Sequence, residues 1–266
     1  MEHFMLNNGI QMPVLGFGTW DVRGSQGEDA ILTAFDMGYR LVDTAKMYAN
    51  EKIVGNAVKR SGIAREEIFI TTKLNSPYAS YKKSKAGIEE SLANLQSDYI
   101  DLLLVHEPYA QGLEMYEAMK EALKDGKVRA IGVSNLDAGR FKRFAGQCDI
   151  IPAVNQVESH VYFPQLGLKQ MLNEYGTQMQ GWASFTEGRR NIFAEPVLNE
   201  IGAAHGKTSG QVALRYLVQN GIGVIPKSMS RERMKENFSI FDFTLTDDEI
   251  KKIGKLNEGR SLFGWY

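Results

Sequence analysis

Short apolar runs alternate with longer amphipathic stretches along almost the whole chain. Eight of the short runs have the length and composition of β-strands: Leu15–Gly18, Arg40–Val42, Ile68–Thr72, Ile100–Val105, Ala130–Val133, Ala153–Asn155, Met179–Trp182 and Gly223–Ile225. Apolar residues recur every three or four positions in the stretches between them, as in helices that bury one face. These helical stretches include Asp29–Met37, Lys82–Leu95, Glu114–Lys124, Gln165–Glu174 and Thr208–Gln219. Such alternation predicts an α/β protein with parallel strands.

Eight strand–helix units predict a closed (β/α)8 TIM barrel, a fold that takes about 250 residues. The alternative is an open, doubly wound sheet, which would carry a glycine fingerprint at its first strand–helix turn. Gly16–Trp20 has two suitably spaced glycines but lacks the third. No linker-like segment interrupts the chain, so residues 1–266 are predicted to form one barrel domain. Before the barrel, Asn8-Gly9 predicts the turn of a short β-hairpin.

Composition narrows the classes of partner. The chain is 43% hydrophobic and 24% charged, with a formal net charge of −1. This balance argues against disorder and against a broad electrostatic surface for nucleic acid or anionic lipid, and favours a small-molecule partner. The single cysteine, Cys148, cannot form an internal disulfide, and the first residues lack the apolar core of a signal peptide. We therefore expect a cytoplasmic protein, monomeric and without a membrane span.

Residues suited to chemistry or ligand binding follow the predicted strands. In chain order they are Asp43, Lys73, His106, Ser134 with Asn135, Asn155 with Gln156, and Lys227. In a parallel barrel the carboxyl ends of all strands open on one face, where active sites are built. The sequence therefore predicts that these side chains surround one mouth.

Asp43, Lys73 and His106 would come together there, with Tyr48 reaching in from the loop after the second strand. A neighbouring ammonium stabilises a phenolate, so Lys73 is predicted to lower the pKa of Tyr48 from its usual value of about 10. Asp43 would keep Lys73 charged, and His106 could orient a carbonyl oxygen while Tyr48 gives the proton. Each residue also has a structural interpretation, such as an ion pair between Lys73 and Asp43.

Reduction of a carbonyl carbon also needs a hydride, which no side chain supplies, so a nicotinamide or flavin cofactor is required. Metal chemistry is not predicted, because His3, His160 and His205 lack the spacing of metal ligands. Trp20 could either cap the barrel core or line the substrate pocket, and we favour the pocket.

Six segments resemble the catalytic and cofactor-binding segments of the aldo-keto reductases. They are Asp43–Glu51, Thr72–Leu74, His106, Gly132–Asn135, Asn155–Glu158 and Ile225–Ser228. The resemblance runs from about Leu6 to Leu262, in order and with similar spacing. Within the family, the chain looks most like bacterial reductases of the 2,5-diketo-gluconate reductase and prostaglandin F synthase kind.

The resemblance implies NADPH-dependent reduction of aldehydes or ketones to alcohols, with a tyrosine as the general acid. The implied catalytic residues are Asp43, Tyr48, Lys73 and His106. The residues implied to hold the nicotinamide are Ser134, Asn135, Gln156 and Trp182, with Trp182 stacked on its ring. Those implied to hold the adenosine 2′-phosphate are Lys227, Ser228 and Arg233, while Glu236 and Asn237 would meet the adenine. The implied substrate pocket consists of Trp20, Tyr48 and His106.

The chain also departs from the family pattern. Glu107-Pro108 stands where many members have Trp-Pro, and the tail ends soon after Ser261–Tyr266, which predicts a more open and less selective pocket. Two other functions stay open. Lys73 could form a Schiff base with a ketone, as in aldolases, or the protein could be a catalytically weak subunit that senses NADPH.

Overall fold

The computed structural model describes residues 2–264, so Trp265 and Tyr266 of the predicted tail lie outside the described residues. Near the amino end, strands β1 (His3–Met5) and β2 (Gln11–Pro13) pair antiparallel, which confirms the predicted hairpin. Gly9 in the turn has φ of +83°, a conformation that glycine adopts without steric cost. The Asn8 side chain donates to the Arg129 carbonyl at 2.9 Å and thereby fastens the hairpin to the barrel.

Eight further strands form the barrel. They are β3 (Phe17–Gly18), β4 (Leu41–Asp43), β5 (Phe69–Leu74), β6 (Ile100–Val105), β7 (Val128–Ser134), β8 (Val154–Glu158), β9 (Gln178–Trp182) and β10 (Gly223–Val224). Each pairs in parallel with the next in chain order. Hydrogen bonds from Gly16 N to Val224 O and from Val224 N to Val14 O, both 2.8 Å, join the last strand to the first. The eight-stranded (β/α)8 architecture is confirmed, and an open doubly wound sheet is excluded.

Helices cover the outside of the barrel. They are α1 (Gly24–Asp36), α2 (Glu51–Ser61), α3 (Tyr81–Leu95), α4 (Gly112–Lys124), α5 (Ala138–Ala145), α6 (Leu166–Glu174), α7 (Pro196–His205), α8 (Ser209–Gln219), α9 (Arg231–Phe238) and α10 (Asp247–Gly254). The five predicted helices are confirmed as α1, α3, α4, α6 and α8. The sequence analysis did not assign the other five. In α9, for example, only Met234 and Asn237 are buried, so its apolar face is too narrow to stand out.

The barrel interior has an apolar floor and a polar mouth. Its floor contains Leu41, Phe69, Leu102, Leu104, Ala130 and Val154, with Leu6 and Met12 packed beneath them. Side chains on one face of a strand recur every two residues. Two positions beyond Leu41 comes Asp43, four beyond Phe69 comes Lys73, and two beyond Val154 comes Gln156. The strand period thus places the polar residues directly above the apolar floor.

Among residues 2–264, no helix has the length and apolarity needed to cross a membrane.

Candidate active site

A cavity of about 770 Å³ opens at the carboxyl ends of the strands. It brings together most of the residues singled out in the sequence, namely Trp20, Asp43, Tyr48, His106, Ser134, Asn135, Gln156, Trp182 and Lys227. Lys73 lies just beneath, fully buried between Asp43 and Tyr48. The predicted cofactor residues Ser228, Arg233, Glu236 and Asn237 lie on or just before α9 and do not line this cavity. Asn155 was predicted to lie at the mouth but does not line the cavity either, because its side chain is fully buried and donates to the Leu136 carbonyl at 2.8 Å.

Lys73 is the centre of a buried polar group. Its Nζ donates to Asp43 Oδ1 at 2.5 Å, to the Thr44 carbonyl at 2.9 Å and to the Tyr48 hydroxyl oxygen at 3.3 Å. These three bonds use all three ammonium hydrogens. Because the Tyr48 oxygen accepts from Lys73, its own hydrogen is free to point elsewhere. The arrangement suits a hydroxyl that donates a proton into the cavity.

The pKa of Tyr48 differs from the sequence-based prediction. Burial raises it above its ordinary value of 10.0, and the opposing effect of the Lys73 charge is smaller. The predicted net lowering is therefore wrong, because the sequence shows the neighbouring charge but not the loss of water around the hydroxyl. Burial also disfavours the charge on Lys73, but Asp43 and Tyr48 outweigh it and leave the pKa of Lys73 raised. Lys73 is thus an ammonium and Tyr48 a neutral phenol at pH 7.

His106 stands beside Tyr48, with 5.8 Å between the ring centroids. Burial, followed by the repulsion of Lys73, lowers the pKa of His106 to about 3, so its ring is neutral at pH 7. Its Nδ1 is buried and has no hydrogen-bond partner among residues 2–264. Because a buried N–H without a partner is costly, the neutral ring carries its hydrogen on Nε2. A neutral imidazole in this state can donate one hydrogen bond to a carbonyl oxygen.

Ser134, Asn135, Gln156 and Trp182 form a connected wall of the cavity. The Ser134 hydroxyl donates to the backbone carbonyl of Gln156 at 2.7 Å. Asn135 accepts from Trp182 Nε1 at 2.8 Å and donates to the His106 carbonyl at 3.3 Å. The Asn135 side chain therefore fixes the Trp182 ring and the backbone beneath His106 at the same time.

The α9 region carries the predicted phosphate-binding side chains. Lys227 and Arg233 are exposed, and neither forms an ion pair within residues 2–264. Ser230 caps α9 by accepting from the Arg233 backbone N–H at 3.4 Å. The Ser228 hydroxyl, in contrast, is occupied by the Ser230 backbone, to which it donates at 3.4 Å.

The sequence analysis did not assign a role to the tail residues that close one side of the cavity. Glu158 is fully buried and accepts from the Ser261 hydroxyl at 2.5 Å and from Leu262 N at 2.8 Å. This holds the Phe263 ring 5.0 Å from the Trp182 ring, where Phe263 lines the cavity. In the sequence Glu158 stood out only as part of a motif, since the tail residues that it binds lie more than 100 residues away.

Strained backbone is concentrated around the mouth. Among residues 2–264, eight residues other than glycine have positive φ, and seven of them lie in loops that follow a barrel strand. The seven are Asp21, Ala49, Asn135, Gln165, Ala183, Thr186 and Glu187. Side chains other than glycine adopt this left-handed conformation at a cost, and such strain is typical of functional sites.

Comparison with known proteins identifies the family. The aldo/keto reductase family profile matches residues 14–258. The chain belongs to the aldo-keto reductases. Glyoxal reductase of Bacillus subtilis (strain 168) is 39% identical over 258 residues, which cover 95% of this chain and 92% of that protein. The 9,11-endoperoxide prostaglandin H2 reductase of Trypanosoma cruzi (strain CL Brener) is 37% identical, covering 97% of this chain and 93% of the relative.

Among solved structures, an aldo-keto reductase complexed with NADPH superimposes with a TM-score of 0.92 at 33% identity. The match covers 98% of this chain and 89% of that one. As an aldo-keto reductase, the protein is an NADP-dependent oxidoreductase.

The residues at the mouth fit this cofactor. Gln156 and Ser134 supply polar groups at the cavity wall, and Trp182 supplies an aromatic face suited to stacking. Lys227 and Arg233, both exposed, are the kind of cations that a phosphate requires. These groups have the chemistry that the nicotinamide end and the phosphate end of NADPH require.

Proposed function

We propose that the protein reduces an aldehyde or ketone to an alcohol, with Tyr48 as the proton donor and His106 as the group that orients the carbonyl oxygen. The observation that carries this proposal is the bond from Lys73 to the Tyr48 oxygen at 3.3 Å. It leaves the Tyr48 hydrogen available to the substrate and places a positive charge beside the oxygen that becomes negative once the proton has left.

The chemistry that NADPH supplies when bound is hydride donation to the carbonyl carbon. As negative charge develops on the carbonyl oxygen, the ring Nε2–H of His106 donates a hydrogen bond to that oxygen, and Tyr48 transfers its proton to it. The Lys73 ammonium stabilises the resulting phenolate, and Asp43 keeps Lys73 charged. Tyr48 then regains a proton from water, so each turnover consumes one hydride and one proton.

On the cofactor side, we assign Ser134, Asn135 and Gln156 to the nicotinamide carboxamide and Trp182 to its ring. Asn135 acts in part by fixing Trp182, because its Oδ1 accepts a hydrogen bond from Trp182 Nε1 at 2.8 Å. Lys227 and Arg233 are assigned to the 2′-phosphate, together with Ser228, whose hydroxyl must first leave the Ser230 carbonyl that it contacts at 3.4 Å. Glu236 and Asn237 are assigned to the adenine.

The residues assigned to the substrate, Trp20, Tyr48 and His106, line the same cavity. Trp20 packs against Tyr48, with ring centroids 4.9 Å apart, and is half-exposed at the rim. Glyoxal and related dicarbonyl compounds are the first substrates to test, because a close relative is named a glyoxal reductase.

The two other functions considered from the sequence have less support. A Schiff base needs a neutral, accessible amine, whereas Lys73 is fully buried, charged and bonded through all three hydrogens. A regulatory role has no support from the relatives, which are named reductases.

The test is the loss of NADPH absorbance on mixing with glyoxal, methylglyoxal, aromatic aldehydes and keto-sugars, measured for the wild type and for Tyr48→Phe. We expect turnover by the wild type, and at least a hundredfold lower kcat for Tyr48→Phe with the NADPH Kd unchanged, because only the proton donor is lost. Turnover by Tyr48→Phe at the wild-type rate would contradict the role of Tyr48.

A further inference from the structure

Beneath the cavity, Gln180 lies beside Gln156 inside the barrel. The two residues are directly opposite each other on neighbouring strands β9 and β8. Gln180 is fully buried and does not line the cavity, whereas Gln156 does. A hydrogen bond to Gln156 connects Gln180 to the cavity wall.

The amide nitrogen of Gln156 has two buried acceptors. Its Nε2 lies 2.7 Å from Asp43 Oδ2 and 2.7 Å from Gln180 Oε1. Nε2 carries two hydrogens, and each of these bonds uses one of them. The Asp43 carboxylate, which is paired with Lys73, can only accept hydrogen bonds. Rotating the Gln156 amide by half a turn would place its oxygen against two acceptor oxygens.

This geometry fixes which end of the Gln156 amide meets a ligand. With both hydrogens directed into the barrel, the group that Gln156 can offer to the cavity is its oxygen, a hydrogen-bond acceptor. The carboxamide of a nicotinamide carries an NH2 group, which is a donor. The two are complementary only while the amide of Gln156 keeps this orientation.

Gln180 also carries a buried polar group that lowers the stability of the folded protein. Its Nε2 is buried and has no partner among residues 2–264. A buried donor left without a partner destabilises the folded state. An apolar side chain on this strand would avoid that penalty but would remove the acceptor that Gln156 uses.

We propose that Gln180 is a positioning residue that holds the Gln156 amide with its oxygen towards the NH2 group of the nicotinamide carboxamide. The inference rests on the proposed role of Gln156 in holding that carboxamide. Gln180 and Asp43 share the task, so the cofactor contact is tied to the same carboxylate that keeps Lys73 charged.

The test compares the Kd of NADP+ with that of its 3-acetylpyridine analogue, in which a methyl group replaces the NH2. Both constants are measured by quenching of protein fluorescence, without turnover. The quantity compared is the Kd of the analogue divided by the Kd of NADP+. In the wild type this ratio should be greater than one, because NADP+ binds more tightly. In Gln180→Met, which keeps the side-chain length and removes the acceptor, this ratio should fall about three- to tenfold, the worth of one hydrogen bond.

Gln178→Met is the matched control, because Gln178 is on the same strand but donates to the Gly221 and Met179 carbonyls instead. Its ratio should equal that of the wild type. If Gln180→Met does not fold, Gln180→Asn, which is too short to reach Gln156, should give the same fall in the ratio.

Gln156→Met separates this inference from the proposed function. A wild-type ratio in Gln180→Met, together with a reduced ratio in Gln156→Met, would overturn the role of Gln180 alone. An unchanged ratio in Gln156→Met would show that Gln156 does not contact the carboxamide, and it would overturn the inference about Gln180 as well. The double variant Gln156→Met/Gln180→Met should give the same ratio as Gln156→Met, because the two changes remove the same contact with the carboxamide.

Discussion

Replacing His106 with asparagine should make the stability of the protein less sensitive to acid. The pKa of His106 is lowered by burial from 6.5 to about 3. Between these two pH values the unfolded chain binds a proton at this site and the folded protein does not. The contribution of His106 to the free energy of unfolding is therefore fully present above pH 6.5 and is lost as the pH falls towards 3. Each pH unit within this window costs about 1.4 kcal/mol, which gives about 2 kcal/mol between pH 7 and pH 5.

Urea unfolding followed by tryptophan fluorescence measures this effect. The difference in unfolding free energy between the wild type and His106→Asn should change by about 2 kcal/mol from pH 7 to pH 5, with the wild type losing more. His3→Asn is the matched control, since it makes the same substitution at an exposed position on the hairpin. A difference between wild type and His106→Asn that stays constant over this pH range would refute a depressed pKa at His106.

Two further predictions concern the two ends of the cofactor site. Arg233→Ala should raise the KM for NADPH at least tenfold and leave the KM for NADH nearly unchanged, because only the 2′-phosphate loses a partner. Arg231→Ala is the control, and equal effects of Arg233→Ala on both cofactors would refute the assignment. Phe263→Ala should shift kcat/KM several-fold in favour of bulky over small carbonyl compounds, because it removes the ring that packs on Trp182. Arg260→Ala is the control and should leave this substrate preference unchanged. An unchanged preference in Phe263→Ala would show that the tail does not shape the pocket.

The barrel could be predicted from the sequence because its strands are short, apolar and regularly spaced. The polar residues at the strand ends could be placed as well, since parallel strands in a barrel share one open face. The position of Lys73 beneath the mouth follows from the strand period, four residues beyond Phe69 of the apolar floor.

Other features depend on contacts that a sequence does not display. The pKa of Tyr48 was predicted in the wrong direction because burial depends on the complete fold. Gln180 looked like any polar residue in a strand, and its bond to Gln156 depends on the register of β8 and β9. The place of the tail depends on similar contacts, since Glu158 accepts from Ser261 and Leu262 and Phe263 lines one side of the cavity.

The left-handed residues in the loops after the strands bear on how such a protein can change over generations. Glycine at a position such as Asp21 or Ala183 would relieve strain and add a margin of stability, at the expense of a stiff loop. That margin could then absorb destabilising changes in the barrel wall. Substitutions in the loops that line the cavity can thus supply the stability that a change of substrate preference elsewhere in the barrel would cost.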